Sequence, residues 1–344
     1  MGGMPIRLTG RRPEVSPDRL LSECVPPPRF SGVRFETYRP DPDEPSQAEA
    51  LAVLRRRGEL LAEPRRERSL WSRLRGSKPA GPEKSGIYLD GGFGVGKTHL
   101  LASLWHVSAD PKMYCTFVEL TNLVGALGMR SAVEALSAYR LICIDEFELD
   151  DPGDTVLISR LLGQLVGAGV QLAATSNTLP DKLGEGRFQA IDFLREIQGL
   201  SAHFDVRRID GPDYRHRGLP VAPDPWSDAR VEQAAEERPG SSCDHFVDLH
   251  HHLAELHPSK YGALLDGVQT VGILDIRELT DENVALRLVV LADRMYDRDI
   301  PLVASGIPLD RMFTPAMLKG GYRKKYLRAL SRLIALANTG MTDA

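Results

Sequence analysis

GGFGVGKT, residues Gly91–Thr98, follows the short apolar run Gly86-Ile87-Tyr88-Leu89-Asp90 and precedes Leu100, Leu101, Leu104 and Trp105, which recur at helical spacing. Strand, glycine-rich loop and helix in that order, with Gly-x4-Gly-Lys-Thr in the loop, make a P-loop. A polyphosphate needs several donors converging on its oxygens. Backbone N–H groups supply them only where the chain wraps closely, and Gly91, Gly94 and Gly96 permit that wrap. The helix opening at Lys97 turns its N-terminal dipole toward the anion. The expected cofactor contacts are Gly91, Gly92, Phe93, Gly94, Val95, Gly96, Lys97, Thr98 and His99, with Lys97 on the β- and γ-phosphates and Thr98 on Mg²⁺.

Downstream of the loop, strand and helix patterns alternate. Tyr114 to Val118 reads as a strand and Leu120 to Leu136 as a helix. Arg140 to Ile144 is an apolar strand ending on Asp145-Glu146. A helix is expected over Asp154 to Val166, a strand over Val170 to Thr175, a helix over Arg187 to Ile197 and a strand over Phe204 to Ile209. Repeated βα units of this length predict an α/β fold of the P-loop NTPase type, a parallel sheet with helices on both faces. Ligands then bind beyond the carboxyl ends of the strands, where the polar residues of this pattern fall.

Asp145-Glu146 is the Walker B pattern: Asp145 is expected to hold Mg²⁺ and Glu146 to act on the attacking water as general base. Asn177, at the tip of the next strand, suits a sensor of the γ-phosphate and that water. Arg187 opens the following helix and is the candidate for an arginine acting on developing charge, often donated by a neighbouring subunit.

The remaining chain bounds the reading. At 344 residues it exceeds one ordinary core, so further modules are expected: an N-terminal arm and linker over 1–80, the ATPase core over 81–217 and a C-terminal module over 218–344. Pro-rich segments mark the arm as irregular, with a helix capped by Ser46 within it. A net charge of −4 gives no argument for nucleic acid. No apolar run approaches the ~20 residues that span a bilayer, and the start lacks the apolar core of a signal peptide. Four dispersed cysteines form no CxxC pair and read as buried reduced thiols, so a cytoplasmic location is expected. Adjacent His250, His251 and His252 point in different directions and complete no metal-ligand set. Residues 219–242 read as a flexible or inserted segment, and the last helix, Gly321 to Ala337, carries a basic face that a solvated surface explains best.

Residues 271–312 echo residues 141–183: strand, acid, helix, strand, Ser/Thr, with Asp275 aligned to Asp145, Ile276 to Glu146 and Ile307 to Asn177. The C-terminal third is therefore expected to be an α/β module, a degenerate and catalytically silent repeat of the core.

With these residues in place the chain resembles the ZapE family of cell-division ATPases, AAA+-type proteins with mitochondrial relatives. The resemblance rests on PSQAEAL (45–51), GGFGVGKTHLL (91–101), CIDEFELDD (143–151), ATSNTLPDKL (174–183) and DYRHR (213–217), supported by RMYDRDIPLVASGIPLDRMF (294–313) and LSRL (330–333). It implies Mg-dependent ATP hydrolysis, nucleotide-linked homo-oligomers, and remodelling of protein assemblies, with FtsZ polymers as partner and recruitment to the division site. Two departures stand out: LGEGRF leaves Arg187 alone before Phe188, and Ile334-Ala335 replaces Glu-Met after Ser-Arg-Leu. Arg215, Arg217 and Arg332 are left as alternatives for a second nucleotide-sensing arginine. A nucleotide-gated clamp or loader acting on DNA-bound proteins, or a quality-control adaptor, is the competing reading.

Overall fold

The computed structural model describes residues 4–63, 84–92, 94–149, 152–179, 194–211 and 221–342. The chain divides into two compact units. One comprises Pro17–Pro26 and Phe30–Arg215, the other Met1–Ser16, Pro27–Arg29 and His216–Ala344. Segments of the N-terminal arm thus belong to both units: Leu8 is buried in the core of the second, and Phe35, Tyr38, Ala50 and Leu54 in that of the first.

Among the described residues, the first unit is built on five parallel strands in the order β2-β3-β4-β1-β5. They are β1 (Gly86–Gly91), β2 (Lys112–Thr116), β3 (Leu141–Asp145), β4 (Gln171–Ser176) and β5 (Phe204–Ile209). The inner strands β1, β3 and β4 are apolar on both faces because both are covered, whereas the edge strand β5 carries Asp205, Arg207 and Arg208. Ile87, Leu89, Leu141, Cys143 and Ala173 face α2 (Pro45–Ala62) and α3 (Lys97–Val107). Tyr88, Ile142, Ile144, Leu172 and Ala174 face the other way. There they meet α4 (Phe117–Leu127), α5 (Met129–Leu136), α6 (Pro152–Gly167) and α7 (Leu194–Ala202), while the short α1 (Pro17–Ser22) packs on α4. Each fully buried side chain of this kind contributes about 1.5–3 kcal/mol. Chain order reverses around β1, which lies between β4 and β5, so the tips of β1, β4 and β3 stand side by side at the switch point.

Three local expectations are corrected. The strand expected over Tyr114 to Val118 runs Lys112–Thr116, because Thr116 caps α4: its hydroxyl accepts from the Glu119 N–H while the Glu119 carboxylate accepts from the Thr116 N–H. The helix expected to Leu136 is two helices, since Gly128 at φ +75° interrupts the hydrogen-bond ladder. Ser46 is not the cap of α2. Glu44 holds that place with Pro45 after it, and the Ser46 hydroxyl accepts from Asp210 N–H at 2.8 Å.

The second unit has a parallel sheet in the order β6-β7-β8: β6 (Ser241–His245), β7 (Thr270–Ile276) and β8 (Leu302–Gly306). Ile6 bridges Ser242 at one edge and Trp226 bridges Ser305 at the other. Around it lie α8 (Asp228–Glu237), α9 (Phe246–Glu255), the short α10 (Tyr261–Leu264), α11 (Glu282–Asp297) and α12 (Arg323–Gly340). Residues 221–242 are therefore ordered structure rather than a flexible insert: Ser227 caps α8, and Val231, Ala234 and Ala235 are buried. The basic face of α12 is likewise not simply solvated. Arg328 donates to Asp293 of α11 at 2.9 Å, and Arg332 binds the same carboxylate.

The echo between the two units is geometric, with a register one residue from that expected. Glu146 and Asp275 have φ of +54° and +55°, a conformation unusual for any residue but glycine. Each donates its backbone N–H to the hydroxyl on the next strand, Thr175 at 3.0 Å and Ser305 at 2.9 Å. Asp275 thus occupies the backbone place of Glu146, and its carboxylate is paired with Arg277 at 2.5 Å.

Candidate active site

The loop after β1 hands the chain to α3 through Gly96, whose φ of +86° places it in the left-handed region. Nothing larger than hydrogen fits there: a Cβ would lie 2.4 Å from Cε2 of Tyr38. The Tyr38 hydroxyl donates to Val95 O at 2.8 Å, and burial pushes that phenol up to about 12. The N-terminal arm therefore braces the loop from outside. Lys97, 8% exposed, donates from Nζ to Gly91 O at 2.7 Å, Gly92 O at 2.5 Å and Asn177 Oδ1 at 3.0 Å. Beneath the loop, burial raises the Asp90 carboxyl against the opposing pull of Arg208 and Lys97.

Asp145 is the centre of the second group. Its Oδ1 accepts from Thr98 Oγ1 at 3.2 Å, from Glu146 N at 3.1 Å and from Thr175 Oγ1. Its Oδ2 accepts from Tyr114 Oη at 2.9 Å. Burial, then the negative Asp145 beside it, hold the Tyr114 phenol well above its ordinary range, so it remains a donor. After Asp145 the left-handed turn at Glu146 sends Phe147 into an aromatic group with Phe117, Tyr88 and Phe204. Glu148 is carried back toward the tip of β4, where Asn177 Nδ2 lies 3.4 Å from its Oε1. The Asn177 amide is oriented by this chemistry, its oxygen toward an ammonium and its nitrogen toward a carboxylate.

Lys97, Thr98, Asp145, Glu146 and Asn177 are thus gathered at three adjacent strand tips. His99 is placed otherwise: its Nε2 lies 2.9 Å from Thr37 Oγ1 and 3.1 Å from Arg34 O, so the side chain faces the arm, not the mouth of the loop. Phe93, Arg187, Arg215 and Arg217 lie outside the described residues. Arg332 is engaged within its own unit, by Asp293 and the ring of Tyr296. Motif reading misses Tyr38, Tyr114, Glu148 and Thr175. Only Thr175 carried a signal, as the residue two before Asn177 on a strand tip.

A hydroxyl and a buried carboxylate 3.2 Å apart, beside the lysine-bearing glycine-rich loop, are the hard oxygen donors that suit Mg²⁺. Two such donors leave most of a six-oxygen shell to phosphate and water, which is how this cation is ordinarily held.

A family model described as AFG1-like ATPase matches residues 14–239 and 228–342. The cell division protein ZapE of Escherichia coli K12 is 29% identical over 291 residues, covering 72% of this chain and 76% of that protein. Lactation elevated protein 1 homolog B of Danio rerio is 24% identical over 324 residues, covering 78% of this chain and 63% of that protein. Among solved structures, domain III of the replication initiation protein DnaA from Thermotoga maritima aligns with a TM-score of 0.38 at 20% identity, covering 61% of this chain and 81% of that one.

Proposed function

Because the chain belongs to the AFG1-like ATPase family, we propose that the site at the tips of β1, β3 and β4 carries out its ATP hydrolysis, with Mg²⁺, and that turnover drives remodelling of a protein assembly. The observation that carries the site assignment is the convergence of Lys97, Thr98, Asp145 and Asn177 through hydrogen bonds of 3.0 and 3.2 Å. Lys97 and the loop amides bind the β- and γ-phosphates. Thr98 and Asp145 hold the cation, which when bound neutralises phosphate charge as it develops. Glu146, whose left-handed backbone is held at the tip of β3 by the Thr175 hydroxyl, takes a proton from the attacking water. Asn177, held between Lys97 Nζ and Glu148 Oε1, places that water. Arg187 serves a neighbouring subunit's site in a nucleotide-dependent homo-oligomer.

The assembly proposed as substrate is the FtsZ polymer at the division site. Family membership and the similarity to a protein named for cell division support that choice. The test is ATP turnover with and without purified FtsZ, with polymer length followed by light scattering and electron microscopy. Polymer length should change with ATP for the wild-type protein and not for Glu146→Gln. Identical polymers in both cases would exclude FtsZ while leaving the ATPase site untouched.

A further inference from the structure

Tyr114 belongs to no nucleotide-binding motif of the sequence. It lies on β2 opposite Cys143, on the face covered by α3, packed in the same apolar cluster as Leu101, Leu104 and Cys143. Leucine or phenylalanine would fill that place. A hydroxyl put there must find an acceptor, because burying it without one costs about 1–3 kcal/mol. Side chains two residues apart on a strand share a face, so Cys143 and Asp145 point the same way. Tyr114, 2% exposed, is long enough to reach past Cys143, and its hydroxyl meets Asp145 Oδ2 at 2.9 Å.

Among the described residues the two carboxylate oxygens take different donors. Oδ1 takes Thr98, Thr175 and the Glu146 amide, while Oδ2 takes Tyr114. The torsion that turns a carboxylate plane is intrinsically broad. A donor on Oδ2 fixes that plane and so fixes the direction in which Oδ1 faces Thr98.

We propose that Tyr114 is a positioning residue that sets the site's affinity for the divalent cation accompanying the nucleotide, acting through Asp145. This rests on the reading of Thr98 and Asp145 as the cation-holding pair. Removing one outer partner of a metal-holding group typically lowers metal affinity 10–100-fold. Asp145 keeps its other three donors in Tyr114→Phe, so the lower end, about 10-fold, is expected.

The experiment is an equilibrium titration of Mg²⁺ against binding of a fluorescent ADP to the full chain, a readout that needs no turnover. Tyr114→Phe should raise the half-saturating Mg²⁺ about 10-fold, leaving ADP affinity in EDTA at the wild-type value. Tyr114→Leu shares the missing hydroxyl but packs differently, and should show the same cation shift whatever its melting temperature. A shift that tracks melting temperature, or a Tyr114→Phe titration within twofold of wild type, overturns the proposal. Asp145→Ala separates the two layers. If it abolishes Mg²⁺ dependence while Tyr114→Phe changes nothing, Tyr114 alone is misassigned. If Asp145→Ala titrates like wild type, the cation-holding reading falls and the proposal with it.

Discussion

Gly96→Ala puts the bracing of the phosphate loop to a quantitative test. At φ +86° a residue with a Cβ costs roughly 1–2 kcal/mol. That Cβ would also stand 2.4 Å from Tyr38 Cε2 and 3.2 Å from Cδ2. The ring cannot swing aside freely. It is 7% exposed, tied to Val95 O at 2.8 Å and met edge-on by the His99 ring at 5.6 Å. Displacing it forfeits a hydrogen bond of about 1 kcal/mol and forces an off-rotamer side chain at about 0.5–1.5 kcal/mol. The total is about 3 kcal/mol. The loop escapes this by leaving the phosphate-binding conformation, so the cost falls on nucleotide affinity, roughly 100-fold. Equilibrium binding of a fluorescent ATP analogue measures it. Tyr38→Ala on the Gly96→Ala background removes the overlap but not the φ cost, and the double-mutant cycle should show coupling of about 1.5–2.5 kcal/mol. Wild-type affinity in Gly96→Ala, or strict additivity of the two substitutions, would refute the bracing argument.

Other consequences are as concrete. Asn177→Ala should reduce turnover about 100-fold with little change in nucleotide binding, as loss of one preorganised donor does; parallel loss of binding would make Asn177 a binding residue. Asp244, 1% exposed, accepts from Leu8 N at 2.9 Å, Thr9 N at 3.1 Å and Thr9 Oγ1 at 2.6 Å. Asp244→Ala strands two backbone N–H groups and should cost about 2–4 kcal/mol in denaturant unfolding; a change below about 0.5 kcal/mol would contradict this. Burial pushes the Asp297 carboxyl up to about 6, above its unfolded value near 4, while Arg332, Arg294 and Arg29 pull it down. The folded state therefore holds a proton that the unfolded state has released, and stability should fall as pH rises from about 4 to 6. Asp297→Asn should flatten that slope in pH-dependent thermal unfolding; an unchanged slope would place its origin elsewhere.

Much of the site was legible because its chemistry is local in sequence. Gly91–Thr98 names a loop and a helix start together, and the apolar run 141–144 delivers Asp145 to a strand tip. What escaped is what depends on register or on distant pairing. Tyr114 matters because β2 and β3 pair in a register that sets it opposite Cys143, one pleat short of Asp145. Tyr38 matters because the arm lies on Gly96, and no local pattern joins the two. Ile6 joins the sheet edge as a single bridge only through its pairing with Ser242, and Leu8 and Thr9 meet Asp244 across more than 230 residues of chain. The capping box Thr116-x-x-Glu119 was visible in the sequence, but the aromatic and β-branched run around it favours a strand there. The matching left-handed turns fall at Glu146 and Asp275, one residue off the alignment expected from spacing, since spacing alone does not say which acid takes the turn.

ATP hydrolysis at this strand-tip cluster is proposed to run through Glu146 acting on water. It is tested most directly by turnover of radiolabelled ATP in Glu146→Gln, alongside equilibrium ATP binding by the same preparation. Affinity should stay within a few-fold of wild type while turnover falls at least about 100-fold. Near-normal turnover with intact binding would contradict it.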